Sequence, residues 1–405
     1  MSCFVRIVLI LLLFLAPASL RAEREDTLEN FFSLNGITPF HHLTSSRPKT
    51  WEIMDERLAA SAGLEAASMR VDLWWSVLEP KDGKFDWTAS DRILRAAEAA
   101  GLEPFPILCY NPVWDDETSP ATSARRAAFA EFAGRVAKRY AAQADYYEIW
   151  NKPDQPPFWS PEPKPEDYAA LVKATAPKVR QADQGASIVA LAVEGRSLEF
   201  IDTVYGEGAA DAFDILSFHH IDGGRSERAL EERIRGVRRV MAKHGDLEKP
   251  IWITEMGLST GPTVYEAPFT VEEQAEWMVK KHVLSIADGI ERLFWFKLVD
   301  DHPDANPDGY WGLYEWDMKP KPAAAAYDHM TDVLAPARYV GEAVGMASDS
   351  TLPGGVEFHV FERDGETLAV VWVRNEGERR LIRVPHEQPF EVVDIYGRGV
   401  GEQEP

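Results

Sequence analysis

Between residue 35 and residue 335, short apolar runs alternate eight times with longer amphipathic ones. That rhythm leaves few folds, because strands separated by helices pair in parallel and need helices packed over the sheet they form. The expected strands are NGITPF (35–40), ASMRVDL (67–73), EPFPILC (103–109), DYYEIW (145–150), SIVALAV (187–193), DILSFH (214–219), PIWITE (250–255) and RLFWFK (292–297). The segments between them carry helix punctuation. Thr270 and Glu273 form a capping box ahead of VEEQAEWMVKKHVLSIAD, Gly289 follows its end, and Gly101 follows RILRAAEAA. Eight such units in about 300 residues predict an α/β fold, a closed (β/α)8 TIM barrel. An open doubly wound sheet is the alternative, but the glycine-rich phosphate loop it usually carries after its first strand is missing.

From about Pro336 the texture changes. VEFHVFERD, TLAVVWVRN, RRLIRVP and FEVVDIYG alternate apolar and polar residues and are separated by GG, DG and NEG turns. A small antiparallel, sandwich-like β-domain is expected at 336–405, packed on the barrel because no low-complexity linker precedes it. At the other end, Arg6 is followed by a nine-residue apolar run, Ile7 to Leu15, and by small residues at Ala16 and Ala18. These predict a secretory signal over 1–22, a barrel over 23–335 and a secreted or periplasmic location. A span across a membrane takes about 20 apolar residues, and no other segment approaches that length. Losing Arg6 and Arg21 with the signal would move the formal charge from −23 to about −25, which disfavours nucleic acid as a partner. Cys109 would be the one remaining cysteine, so neither an intramolecular disulfide nor a cysteine metal cluster is expected.

In such a barrel the functional residues gather at the C-terminal ends of the strands. Strand two carries Arg70 and runs on into DLWWSVLEPKDGKFDW; strand four ends in IWNKPDQ, strand six in SFHH and strand seven in ITEMG, and a closing WGLY precedes KPKPA. On these motifs, in this order, the chain resembles the clan A retaining glycoside hydrolases, nearest to family 39 and related bacterial exopolysaccharide hydrolases. The resemblance covers most of the chain. It implies two carboxylic acids about 5 to 5.5 Å apart, an acid/base on strand four and a nucleophile on strand seven. The nucleophile falls on Glu255. The resemblance implies Arg70 as a donor that keeps it ionised, and Asn151 as a partner of the sugar 2-hydroxyl. His219 and His220 fall where a strand-six histidine stands, and spacing leaves open which of them faces the site. Trp74, Trp75, Trp114, Trp159, Trp295 and Trp311 lie at or beyond strand ends, where flat rings can stack on sugars. Trp159 and Trp295 are the expected sugar contacts, and one of Trp74 and Trp75 must point into packing. Glu79 is read as structural, and Glu148 as an ion-pair partner inside the barrel.

One position departs from the resembled family. It reads Trp-Asn-Glu-Pro at the acid/base, whereas this chain reads Trp150, Asn151, Lys152, Pro153. An ammonium with an ordinary pKa near 10.4 is a poor proton donor at neutral pH, and once protonated it cannot activate water. If Lys152 points as the glutamate would, it faces Glu255 and pairs with it. The expected function is therefore binding of a polysaccharide or oligosaccharide, with hydrolysis lost or impaired. Two alternatives stay open. One is an active retaining β-glycosidase in which Asp154 or Glu194 stands in as acid; the other is a non-catalytic interaction protein of a polysaccharide export system. No cofactor is expected and no metal, since the oxygen-rich loop 300–309 lacks the terminal glutamate of a calcium loop. The residues do not specify the oligomeric state.

Overall fold

The computed structural model describes residues 9–12, 26–37, 50–112, 119–194, 198–221, 224–263, 267–303, 306, 309–342, 356–374 and 391–400. Its centre is a closed barrel of eight parallel strands, β2 (Phe32–Ile37), β3 (Ser68–Trp74), β4 (Glu103–Cys109), β5 (Tyr146–Ile149), β6 (Ser187–Val193), β7 (Ile215–His220), β8 (Ile251–Met256) and β9 (Arg292–Phe296). The ring closes where β2 pairs with both β3 and β9. These are the eight expected strands in their expected order. Seven lie within one or two residues of the expected bounds. The first starts at Phe32 rather than Asn35, because Phe32 and Leu34 are fully buried and set its register against β9. Residues 38–40 of that expectation lie outside the described residues.

Helices follow the strands and cover the barrel from outside, and one of them, Val271–Ala287, is buried on nearly every side. Thr270 and Glu273 close the capping box of the helix Val271–Ala287, and Gly289 just beyond it takes a positive φ of 70°. The barrel interior is layered. Phe105, Val189, Ile215, Trp252 and Phe294 form a separate apolar cluster from five different strands. Buried polar groups on the strands, namely Arg70, Glu148, Ser217 and Thr254, form a second population joined by hydrogen bonds. Alternation along a strand decides which residues face in and which face the helices.

The second unit is, among the described residues, one five-stranded antiparallel sheet rather than a sandwich, in the order β10 (Arg338–Glu342), β11 (Val356–Arg363), β12 (Glu366–Val373), β1 (Leu9–Leu12) and β13 (Val392–Val393). Asp364 and Gly365 make the β11–β12 turn, both at positive φ (53° and 82°), as a tight hairpin requires. The backbone of Leu9–Leu12 (β1), within the expected signal, pairs antiparallel with β12 and also with β13. The expected strand RRLIRVP lies outside the described residues. The sheet is tied to the barrel through Arg374, whose guanidinium reaches Glu357 on β11 and Glu231 on the helix Glu227–Lys243, the latter at 2.5 Å. Among the described residues no helix is long and apolar enough to cross a membrane.

Candidate active site

The site grows from Arg70. Its side chain is nearly inaccessible (1% exposed), and a buried guanidinium needs every donor engaged. Nε donates to Glu148 Oε2 (2.7 Å), Nη1 to Glu255 Oε1 (2.9 Å) and Nη2 to Asn151 Oδ1 (2.9 Å). One side chain from β3 thus fixes the ends of β5 and β8. Glu148 is held from its other oxygen by Ser217 Oγ (2.7 Å) and Thr254 Oγ1 (2.9 Å), which completes an ion-pair network inside the barrel. Asn151 passes the chain on, with Nδ2 donating to Tyr110 Oη at 2.8 Å.

Lys152 points into the barrel mouth. Trp150 and Lys152 both adopt positive φ (68° and 47°), and the turn is pinned by Lys152 N donating to Ala192 O and Gln155 N donating to Lys152 O. Non-glycine residues take that conformation at a cost, so it persists only where the surroundings enforce it. The ammonium pairs with Glu194, and its Nζ lies 3.1 Å from Glu255 Oε2. His219 completes the enclosure, with Nδ1 3.4 Å from the same Oε2. His220 is buried as well.

The electrostatics follow from this packing. Burial opposes the charged form of Glu255, but the cations Lys152 and Arg70 outweigh it and hold the carboxylate at about 2. Burial also opposes the Lys152 ammonium, yet Glu255 and Glu194 raise it above the ordinary lysine range. His219 is driven the other way: burial, helped by Arg70 and Lys152, pushes it well below the usual histidine range despite Glu255. The constellation at neutral pH is therefore an ionised, oriented Glu255 facing a permanently charged Lys152. The carboxylate has the form a nucleophile needs, while the ammonium can neither give up its proton readily nor take one back.

The sequence-expected residues divide. Arg70, Asn151, Lys152, Glu194, His219 and Glu255 come together around one centre. Trp159 and Trp295 do not belong to it as sugar platforms. Both are fully buried: Trp159 packs on Trp150 and Tyr168, and Trp295 turns outward from β9 against His282 of the helix layer. Strand alternation is the reason, since Phe294 faces the barrel interior and its neighbour must face away; Phe296 is the next side chain on the inner face, and it is partly exposed. Of the adjacent pair, Trp75 is buried against Phe132 and donates to Glu79 at 2.6 Å, while Trp74 stays partly exposed. Trp311 is buried beside Phe296, and Trp114 lies outside the described residues. Asp154 accepts from Glu194 N and Gln155 Nε2, both at 3.1 Å.

Sequence reading missed Asp72. Two residues beyond Arg70 on the same face of β3, it is partly exposed and accepts from Trp74 Nε1 at 3.2 Å. Burial lifts its carboxyl to about 6, against the pull of Arg70. The signal was available in R-V-D, where period-2 spacing puts both side chains on one face. A raised acid stabilises the fold fully below its ordinary value of 3.8, and that contribution fades as pH rises through 6. Asp72→Asn is thus expected to match the natural chain in thermal stability near pH 4 and to exceed it above pH 7. Parallel melting curves across that range would refute the assignment.

The family model of the glycosyl hydrolase catalytic core matches residues 124–327, half of the chain. No curated protein matches the sequence. Among solved structures, a family 39 glycoside hydrolase from the gut symbiont Bacteroides cellulosilyticus is similar with a TM-score of 0.68 and 19% identity, over 86% of this chain and 71% of that one. A monomeric β-xylosidase from Caulobacter crescentus gives a TM-score of 0.64 at 19% identity, over 86% and 75%. The family 39 enzyme from Xanthomonas axonopodis gives 0.61 at 17%, over 82% and 72%. What these structures share with this chain at such identities is the fold. With its eight-stranded parallel barrel, which is similar in fold to the barrels of those family 39 enzymes, the chain belongs to the glycosyl hydrolase catalytic core family.

Proposed function

We propose that this is an exported protein that binds a polysaccharide or oligosaccharide at the C-terminal face of its barrel and hydrolyses it poorly or not at all. The observation that carries the reading is the Lys152 ammonium lodged between Glu194 and Glu255. Retaining hydrolysis asks one group to protonate the departing oxygen and then to deprotonate water. An ammonium held above its ordinary range serves neither step. Glu255 is bound up in an ion pair besides, which sets a barrier to attack on an anomeric carbon. The Arg70–Asn151–Tyr110 chain remains as an ordered set of polar groups for sugar hydroxyls. Export is supported by the N-terminal charge and apolar run described above.

The test is calorimetric titration of the natural protein with a set of β-linked oligosaccharides, with chromatography of each mixture after a day. Saturable heat without released product is the expected outcome. Product from an oligosaccharide, or no heat from any of them, counts against the reading.

A second reading, a working glycosidase with a displaced acid, is favoured by Asp72 rather than by Glu194 or Asp154. Glu194 is committed to Lys152, whereas Asp72 is a carboxyl that still holds a proton near pH 6. Under that reading any released product disappears in Asp72→Asn.

A further inference from the structure

Glu194, His219 and Glu255 each offer a ligand atom, and those atoms all lie within 4.8 Å of one another. Two carboxylates and an imidazole at that spacing form the open, three-ligand kind of set that holds a divalent transition metal ion, zinc above all. His219 supplies an independent observation. Its side chain is wholly inaccessible; Nδ1 lies 3.4 Å from Glu255 Oε2, and Nε2 has no hydrogen-bond partner among the described residues. Buried imidazole nitrogens normally find partners, so a buried imidazole with one nitrogen unpartnered and the other against a carboxylate fits a place for a cation. A cation is already there: the ammonium of Lys152 sits against Glu194 and 3.1 Å from Glu255 Oε2.

We propose that Glu194, His219 and Glu255 form a divalent transition-metal site whose resident occupant is the Lys152 ammonium, so that the chain carries its own cation and keeps the metal out. Two ionised carboxylates this close repel unless positive charge lies between them. An ammonium supplies one charge and needs no exogenous ion. Without it, the pair of carboxylates and the free imidazole nitrogen have charge, geometry and donor type for a divalent ion. The inference rests on where the ammonium lies and not on whether glycosides are hydrolysed, so each can fail without the other.

The experiment uses the full chain with Lys152→Ala and Lys152→Met, each stripped with chelator and dialysed against zinc chloride or cobalt chloride. Bound metal is counted by mass spectrometry, melting temperature is recorded with and without zinc, and the cobalt form is read by its visible absorption. The expected result is one ion per chain in both variants and none in the natural protein. The stripped variants should melt below the natural chain and recover with zinc. Adding His219→Ala to Lys152→Ala should weaken zinc binding by more than about 100-fold, beyond the roughly 10- to 100-fold that loss of an outer-shell partner costs. Variants that take up no zinc, variants that stay unfolded in its presence, binding indifferent to His219, or a natural chain that binds zinc as tightly as the variants would each overturn the proposal.

Discussion

Arg70→Met is expected to destabilise the fold by about 3 to 5 kcal/mol, the cost usually found when one partner is taken from a buried ion pair. The size follows from what would be left behind. Glu148 and Glu255 both lose their guanidinium donor inside the barrel, and Asn151 Oδ1 loses its own. Lys152 would still face Glu255, but Glu148 would retain only the hydroxyls of Ser217 and Thr254. The deficit has a pH signature. In the natural chain Glu255 sits at about 2 against an ordinary 4.5, so its contribution is full above 4.5 and is lost as pH falls toward 2. Without Arg70, Glu255 loses one of the charges that hold it ionised and accepts a proton more readily. Urea midpoints of the variant and the natural chain should therefore lie far apart at pH 7 and draw together as Glu255 protonates. A loss under about 1 kcal/mol at pH 7 would mean that the network is no more than a surface pair in energetic terms.

Lys152→Glu is the second large effect, and its sign is a gain. The position already points at Glu255, enforced by the positive-φ turn and the Lys152 N–Ala192 O bond, neither of which depends on the side chain. A carboxyl placed there would neighbour Glu194 and Glu255, and like charges at such range raise a carboxyl above its ordinary value. That is the adjustment a general acid needs near neutral pH. Hydrolysis of an unactivated glycoside should rise by roughly 100- to 10,000-fold, the usual worth of a positioned acid/base. On aryl glycosides whose leaving group needs no proton the gain should be smaller, because only removal of the ammonium and activation of water contribute.

Most of the barrel was legible because burial imposes period: seven of eight strand bounds follow from apolar runs and flanking turns. The first strand slipped because its anchoring residues, Phe32 and Leu34, precede the Asn35–Gly36 that resembled a strand start. The network around Arg70 was partly legible, since strand-end position and resemblance together named Arg70, Asn151, Lys152, His219 and Glu255. What spacing could not give was direction beyond the strand ends. Trp159 lies in an irregular segment where no periodicity applies, and Trp295 differs from Phe296 by one residue, which in a strand is the difference between helix layer and cleft. Asp72 was passed over because its significance lies in burial beside Arg70, a property of the assembled barrel. The engagement of Glu194 by Lys152 joins residues 42 apart across two loops, and no local signal reports it.

The most direct test of the account is the rate at which the natural protein releases product from an unactivated β-linked oligosaccharide, measured beside Lys152→Glu and Glu255→Gln. The account predicts no release above background from the natural chain and clear turnover from Lys152→Glu. Turnover by the natural chain that Glu255→Gln abolishes would contradict it, because a proton would then be reaching the departing oxygen from a group other than residue 152.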